Sequence, residues 1–161
     1  MAKRSAGILI YRQGAAGTEV FLVHPGGPYW AKKDDGAWSV PKGECAAGEA
    51  GLAAARRELA EETGLRPEGD FLALGSFKQS SAKWVEVWAV EGNADPARLK
   101  SNTFTMEWPP RSGQIKPYPE VDRAGWFTLP EAARKLVQGQ VPILGALAAE
   151  LGRRRHTPQR G

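Results

Sequence analysis

Three carboxylates crowd into the stretch Arg57-Glu58-Leu59-Ala60-Glu61-Glu62. In a helix, Glu58, Glu61 and Glu62 are spaced i, i+3 and i+4 and share roughly a 100° arc. Like charges at that spacing repel by a few tenths of a kcal/mol per pair on an exposed surface, and by more where water is excluded. Arg57, four residues before Glu61, offsets part of that charge. A hard divalent cation with oxygen ligands offsets it better, and Mg²⁺ or Mn²⁺ is the natural choice. Taken alone, the same trio suits an ordinary solvated face of a Glu/Arg-laced helix.

The surrounding pattern decides between the two. Gly43 is followed after five residues by Glu49, and Glu49 after seven by Arg57-Glu58-Leu59-Ala60-Glu61-Glu62-Thr63-Gly64-Leu65. These residues match the Nudix box, G-x5-E-x7-R-E-U-x-E-E-x-G-U with U aliphatic, at every fixed position. Such a coincidence is expected in roughly 10⁻⁸ of random windows, so the chain is identified as resembling the Nudix family. The match spans residues 43–65, and the lead-in Trp38-Ser39-Val40-Pro41-Lys42 is also similar to that of such proteins.

The resemblance implies a fold and a chemistry. The fold is an α/β (α+β) domain, a Nudix-like α/β/α sandwich with a mixed sheet and a loop–helix–loop catalytic segment. Glu58, Glu61 and Glu62 would be metal ligands, joined by the backbone carbonyl of Lys42. Arg57 would orient the carboxylates, with Arg57 and Glu61 also counted in the catalytic set. Gly43, Glu49 and Gly64 would be structural, Glu49 bracing the loop or touching a second metal. Family members commonly recruit a further carboxylate from a loop ahead of a strand, as general base or extra ligand. Glu120, in Tyr118-Pro119-Glu120-Val121-Asp122, fits that description, with Asp122 and Glu107 as alternatives. The implied activity is pyrophosphohydrolysis of a nucleoside diphosphate-linked substrate, either a nucleoside triphosphate or a dinucleoside polyphosphate. The likeness of residues 26–44 and 107–127 points to the predicted nucleoside-triphosphate pyrophosphohydrolase branch. Two alternatives stay open: removal of 5′-phosphates from RNA, and a non-catalytic nucleotide-binding module. The intact box argues against the module.

Cations and aromatics supply candidate substrate contacts. Lys32, Lys33, Lys78, Lys83, Arg111 and Lys116 lie in or beside loops, and Arg111 and Lys116 stand out because Pro109-Pro110-Arg111-Ser112-Gly113 reads as a shaped loop leading to Glu120. Trp30, Trp84, Trp88 or Tyr118 could stack on a base. Alternation places Trp84, Glu86 and Trp88 on one strand face, so core packing accounts for most of the tryptophans, and Trp30 is the chosen substrate contact.

The elements that must hold these residues follow from composition and punctuation. Glu49–Thr63, rich in Ala, Leu, Glu and Arg, reads as a helix with Leu52, Ala55 and Leu59 as its apolar stripe. Gly64 ends it in the left-handed conformation and Pro67 prevents resumption. Ser5–Arg12 and Glu19–His24 read as an opening hairpin, and Pro25–Gly36 as a long loop. Phe71–Gln79, Trp84–Val90, Thr103–Trp108 and Ala124–Thr128 read as strands. Glu131–Val137 and Ile143–Leu151, each behind a proline, read as helices.

At 161 residues the chain suits one domain, residues 1–152, with 153–161 as a basic, flexible tail. A lone Cys45 and two histidines exclude disulfide staples and structural zinc and favour a reducing, cytoplasmic setting. The N-terminal apolar run is too short for a signal core, and no stretch approaches a membrane span. The net charge of +4 suits an anionic ligand, although Arg134, Arg153–Arg155 and Arg160 carry much of it. The expected partner is a small nucleotide, with a monomer or homodimer as the assembly.

Overall fold

A computed structural model describes residues 3–156. Its centre is a mixed sheet. The strands β1 (Lys3–Gly14), β2 (Gly17–Pro25), β3 (Lys42–Glu44), β4 (Leu72–Ser80), β5 (Lys83–Glu91) and β8 (Val121–Thr128) form it in the order β4-β5-β1-β2-β8, with β3 paired to β1. Only β1 and β5 run parallel. The long return between them carries β3 and helix α1 (Gly51–Thr63), as a parallel crossover demands. The expected opening hairpin is present and tighter than its sequence suggested, with Gly14 paired to Gly17 across Ala15-Ala16.

Alternation along the strands sorts side chains into two cores. Ala6, Ile8 and Ile10 of β1, with Phe21 and Val23 of β2, pack beneath Ala54, Ala55 and Leu59 of α1. Leu9 and Tyr11, with Val20, Leu22, Val85 and Val87, face the opposite way. They meet Ala132 of α2 (Leu129–Lys135) and Ile143, Leu144 and Leu147 of α3 (Val141–His156). Helices on both faces of one sheet make the α/β/α sandwich expected of the chain. Trp88 packs against the first core while Trp84, on the same face, stays 41% exposed.

Two expectations require correction. Residues 115–119, where the sequence predicts no strand, form β7 (Ile115–Pro119) and pair with β6 (Thr103–Glu107) in a separate two-stranded ribbon. Pro117 and Pro119 are tolerated because a ribbon strand has a free edge on which no N–H is needed. The central helix begins at Gly51, so Glu49 belongs to the preceding turn and helical phase does not govern where it points. Of the basic segment, Arg153 and Arg154 lie in the last turns of α3, and positions 157–161 lie outside the described residues. Among the described residues no helix is long and apolar enough to cross a membrane.

Candidate functional site

Arg57 is the hub from which the site is built. Its Nε and Nη2 donate to both oxygens of Glu49 at 3.0 Å, its Nη1 donates to Glu58 at 2.9 Å and reaches Glu61 at 3.3 Å, and Nη2 also donates to the Glu44 carbonyl at 3.2 Å. Glu49 in turn accepts from the Ala46 N–H at 2.9 Å. One guanidinium thereby ties the loop after β3 to the helix that follows. Glu49 is pulled down to about 2, chiefly by its hydrogen bonds from Arg57, and Arg57 is held further up its already high range by Glu49 and Glu58.

Gly43 and Gly64 earn their places by geometry. A Cβ on Gly43 would stand 2.0 Å from Cδ of Glu58, so the glycine leaves the space that the Glu58 carboxylate fills. Gly64 ends α1 at φ 80 and donates to the Ala60 carbonyl at 2.8 Å.

Glu62 has a different environment. Arg57 does not reach it, and burial, then the charge of Glu58, pushes its carboxyl up to about 8. The neighbouring Lys42 ammonium and a hydrogen bond from the Lys42 main chain act the other way. A carboxylate only accepts, so that backbone contact uses the Lys42 N–H. Glu58 is raised as well, mainly by burial, and Glu120 adds repulsion to both. Lys42, half-buried, is lowered chiefly by the loss of water around its ammonium. Three carboxylates from two distant segments therefore repel one another around one point.

Two of them, Glu62 and Glu120, line a small cavity of ≈ 170 Å³ together with Ser39 and Lys42. Through Pro25 and Glu120 it adjoins a second cavity of ≈ 390 Å³, walled by Gly26, Gly27, Tyr29 and Trp30 on one side and Phe104 and Met106 on the other. The two walls touch at their base. Gly26 donates to the Glu120 carbonyl at 2.9 Å, and a Cβ on Gly26 would fall 1.9 Å from the Pro119 oxygen. Tyr29 and Trp30 meet edge to face at 5.1 Å, propped by the Lys33 ammonium 4.1 Å and 5.1 Å from their rings.

The structure separates the three acids weighed as the extra carboxylate. Glu120 opens on both cavities. Asp122 is engaged with His24 at 2.8 Å, and Glu107 accepts from the Arg111 N–H at the tip of the β6–β7 ribbon. Arg111 lies at that tip, five residues beyond Met106, the last ribbon residue in the cavity wall, and lines neither cavity. Lys116 pairs with Met106 and so shares the ribbon face that carries Phe104 and Tyr118. Tyr29, Phe104 and Met106 were missed in the sequence. An aromatic next to Trp30 in a long loop, and alternate apolar residues on a short strand, were the available signals.

The donor set suits a hard cation. Glu58, Glu62 and Glu120 offer only oxygen, and their mutual repulsion is what a bound divalent ion removes. Among the described residues no three acidic, imidazole or thiol side chains form a ready-made cage, and Arg57 holds Glu58 and Glu61. The fit thus rests on Glu62, raised by burial and anionic neighbours with no guanidinium beside it.

A mixed sheet lies between helices, with an arginine-organised glutamate helix packed on one of its faces, and comparison gives the family. The family model described as NUDIX domain matches residues 1–147, and the chain belongs to that family. Its fold is similar to that of the C. elegans Ap4A hydrolase in a binary complex, at 22% identity and TM-score 0.64, covering 92% of this chain and 98% of that one. It is also similar to the NUDIX domain of Shewanella oneidensis NrtR complexed with ADP ribose, at 14% identity and TM-score 0.63, covering 94% and 89%. A mutT/nudix family protein from Listeria innocua matches at 16% identity and TM-score 0.62, covering 95% and 96%.

Proposed function

We propose that the protein is a divalent-cation-dependent pyrophosphohydrolase that cleaves a phosphoanhydride bond in a nucleoside triphosphate or dinucleoside polyphosphate. The observation that carries this reading is the adjacency of the carboxylate cavity and the aromatic cavity, with Glu120 common to both. A flat base suits the slot between Trp30 and Phe104, and the attached phosphates then extend over Glu58 and Glu62. The family membership and the names of structural neighbours, an Ap4A hydrolase among them, agree with this substrate class.

Mg²⁺ or Mn²⁺ would be held by Glu58, Glu61 and Glu62 with the Lys42 carbonyl, and there would neutralise phosphate charge and lower the pKa of a bound water. Arg57 keeps Glu58 and Glu61 oriented through its charge-assisted hydrogen bonds. Glu120, facing the cavity from the segment between β7 and β8, is the general base that takes the proton of the attacking water. Tyr29, Trp30, Phe104 and Met106 fix the base, with Lys116 beside them on the same ribbon face.

The test is a product-release panel of nucleoside triphosphates, dinucleoside polyphosphates, nucleotide sugars and 5′-triphosphate RNA, with Mg²⁺, Mn²⁺ or EDTA. Turnover of the first or second class that stops in EDTA is the expected result. Nucleotide binding without turnover in any class would mark a binding module, and release from RNA alone would move the activity to RNA ends.

A further inference from the structure

One titratable group near the site is left unused by this chemistry. His24, at the end of β2, is completely buried, and its ring packs edge-on against Trp38 at 5.2 Å. Its Nδ1 lies 2.8 Å from Asp122 Oδ1 and its Nε2 lies 2.6 Å from the Lys33 carbonyl oxygen. The ring thereby bridges the Lys33 main chain and the Asp122 carboxylate, one nitrogen to each. Arg123 reinforces the arrangement from outside. It lies over Trp38 at 5.5 Å, donates to the same Lys33 carbonyl at 3.5 Å and stands 3.9 Å from Asp122.

The two ends of this link belong to the two walls of the site. Lys33 is the residue whose ammonium props Tyr29 and Trp30. Asp122 lies two residues beyond Glu120 on the segment that enters β8. The register of β2 and β8 shifts between His24 and Pro25, so ordinary ladder pairing is interrupted where the aromatic loop departs. A side chain takes over the connection at that interruption.

We propose that His24 is a positioning residue, which pins the Lys33 main chain to Asp122 and thereby sets the aromatic wall of the nucleotide cavity relative to Glu120. A histidine serving only as core filling would touch the stability of the whole domain and leave the cavity's geometry alone. The kinetic part of this inference rests on the hydrolase reading, and the exchange part does not.

The experiment compares the full chain with His24→Gln and Asp122→Asn by amide hydrogen exchange and by steady-state kinetics with a nucleoside triphosphate. In both variants, amides of residues 27–36 are expected to exchange about tenfold faster while those of β1 and β5 are unchanged, and KM to rise about tenfold with kcat within about threefold. Unaltered exchange in the loop, or acceleration spread evenly over the sheet, would overturn the proposal. So would a KM equal to that of the wild type. If His24→Gln does not fold, Asp122→Asn decides alone, because its side chain is 31% exposed and its replacement leaves the core intact. Absence of wild-type turnover would remove the hydrolase reading and leave the exchange result to judge His24.

Discussion

Glu62 and Glu49 belong to one motif yet are perturbed in opposite directions, because burial dominates at Glu62 and the hydrogen bonds from Arg57 dominate at Glu49. Glu62, held up at about 8 by burial and by Glu58, is favoured by the fold in its neutral form. The metal-free protein is therefore at full stability with respect to Glu62 below the ordinary value of 4.5 and loses it as pH rises through about 8. Thermal melting in EDTA between pH 5 and 9 should show this decline in the wild type, and Glu62→Gln should flatten it. The same variant should lose roughly a thousandfold in turnover while keeping its fold by circular dichroism. Glu49 works the other way. Lowered to about 2 by Arg57, it contributes above pH 4.5 and is lost as pH falls towards 2. Glu49→Gln should remove that acid limb from the melting profile and make the loop at residues 44–50 the first site of limited proteolysis, and an unchanged cleavage pattern would mean that Arg57 holds the loop without it.

At the scale of elements, two glycines separate positioning from packing. A methyl at Gly43 meets the far end of the Glu58 side chain, which can swing aside. Gly43→Ala should therefore fold with little loss of melting temperature and lose activity, because Glu58 has been moved. A methyl at Gly26 meets the Pro119 carbonyl at 1.9 Å, which is backbone pinned by the β6–β7 ribbon. Gly26→Ala should cost about 1–3 kcal/mol, at about 2–4 °C per kcal/mol for a domain of this size, measured by thermal melting. What the sequence made legible follows the same division. Helix α1, its Gly64 stop and the acidic trio could be read from local composition and a fixed spacing. The strand β7 could not, because two prolines argue against a strand unless its edge is known to be free. The link from His24 to Asp122 spans 98 residues, and neither end carries a local signal of the other. Glu120 was legible as a candidate and separable from Asp122 and Glu107 only once the partners of those two acids were known.

For the whole molecule, the decisive fact is that the site lies between two bodies of structure. The carboxylates stand on α1 and beside the main sheet, while half of the aromatic cavity stands on the β6–β7 ribbon, which is not hydrogen-bonded into that sheet. The contribution of a ribbon residue should therefore depend on its position along the ribbon more than on its charge. Phe104 sits one residue from the start of the ribbon ladder, where Thr103 pairs with Pro119 beside Glu120. Arg111 sits past the far end, where Glu107 pairs with Ile115, about 13 Å further along at the strand rise per residue. Phe104→Ala should raise KM for a nucleoside triphosphate by about tenfold or more, the loss of one stacked ring being about 1–3 kcal/mol. Arg111→Ala should leave KM within about twofold at moderate ionic strength, since an exposed cation at that distance is separated from the phosphates by more than a Debye length of roughly 8–10 Å. Lys116→Ala, on the cavity face one pair short of the far end, should fall between them. Measured KM values in the reverse order would show that the ribbon folds over the substrate tip first, and that the phosphates rather than the base occupy the space between it and Trp30.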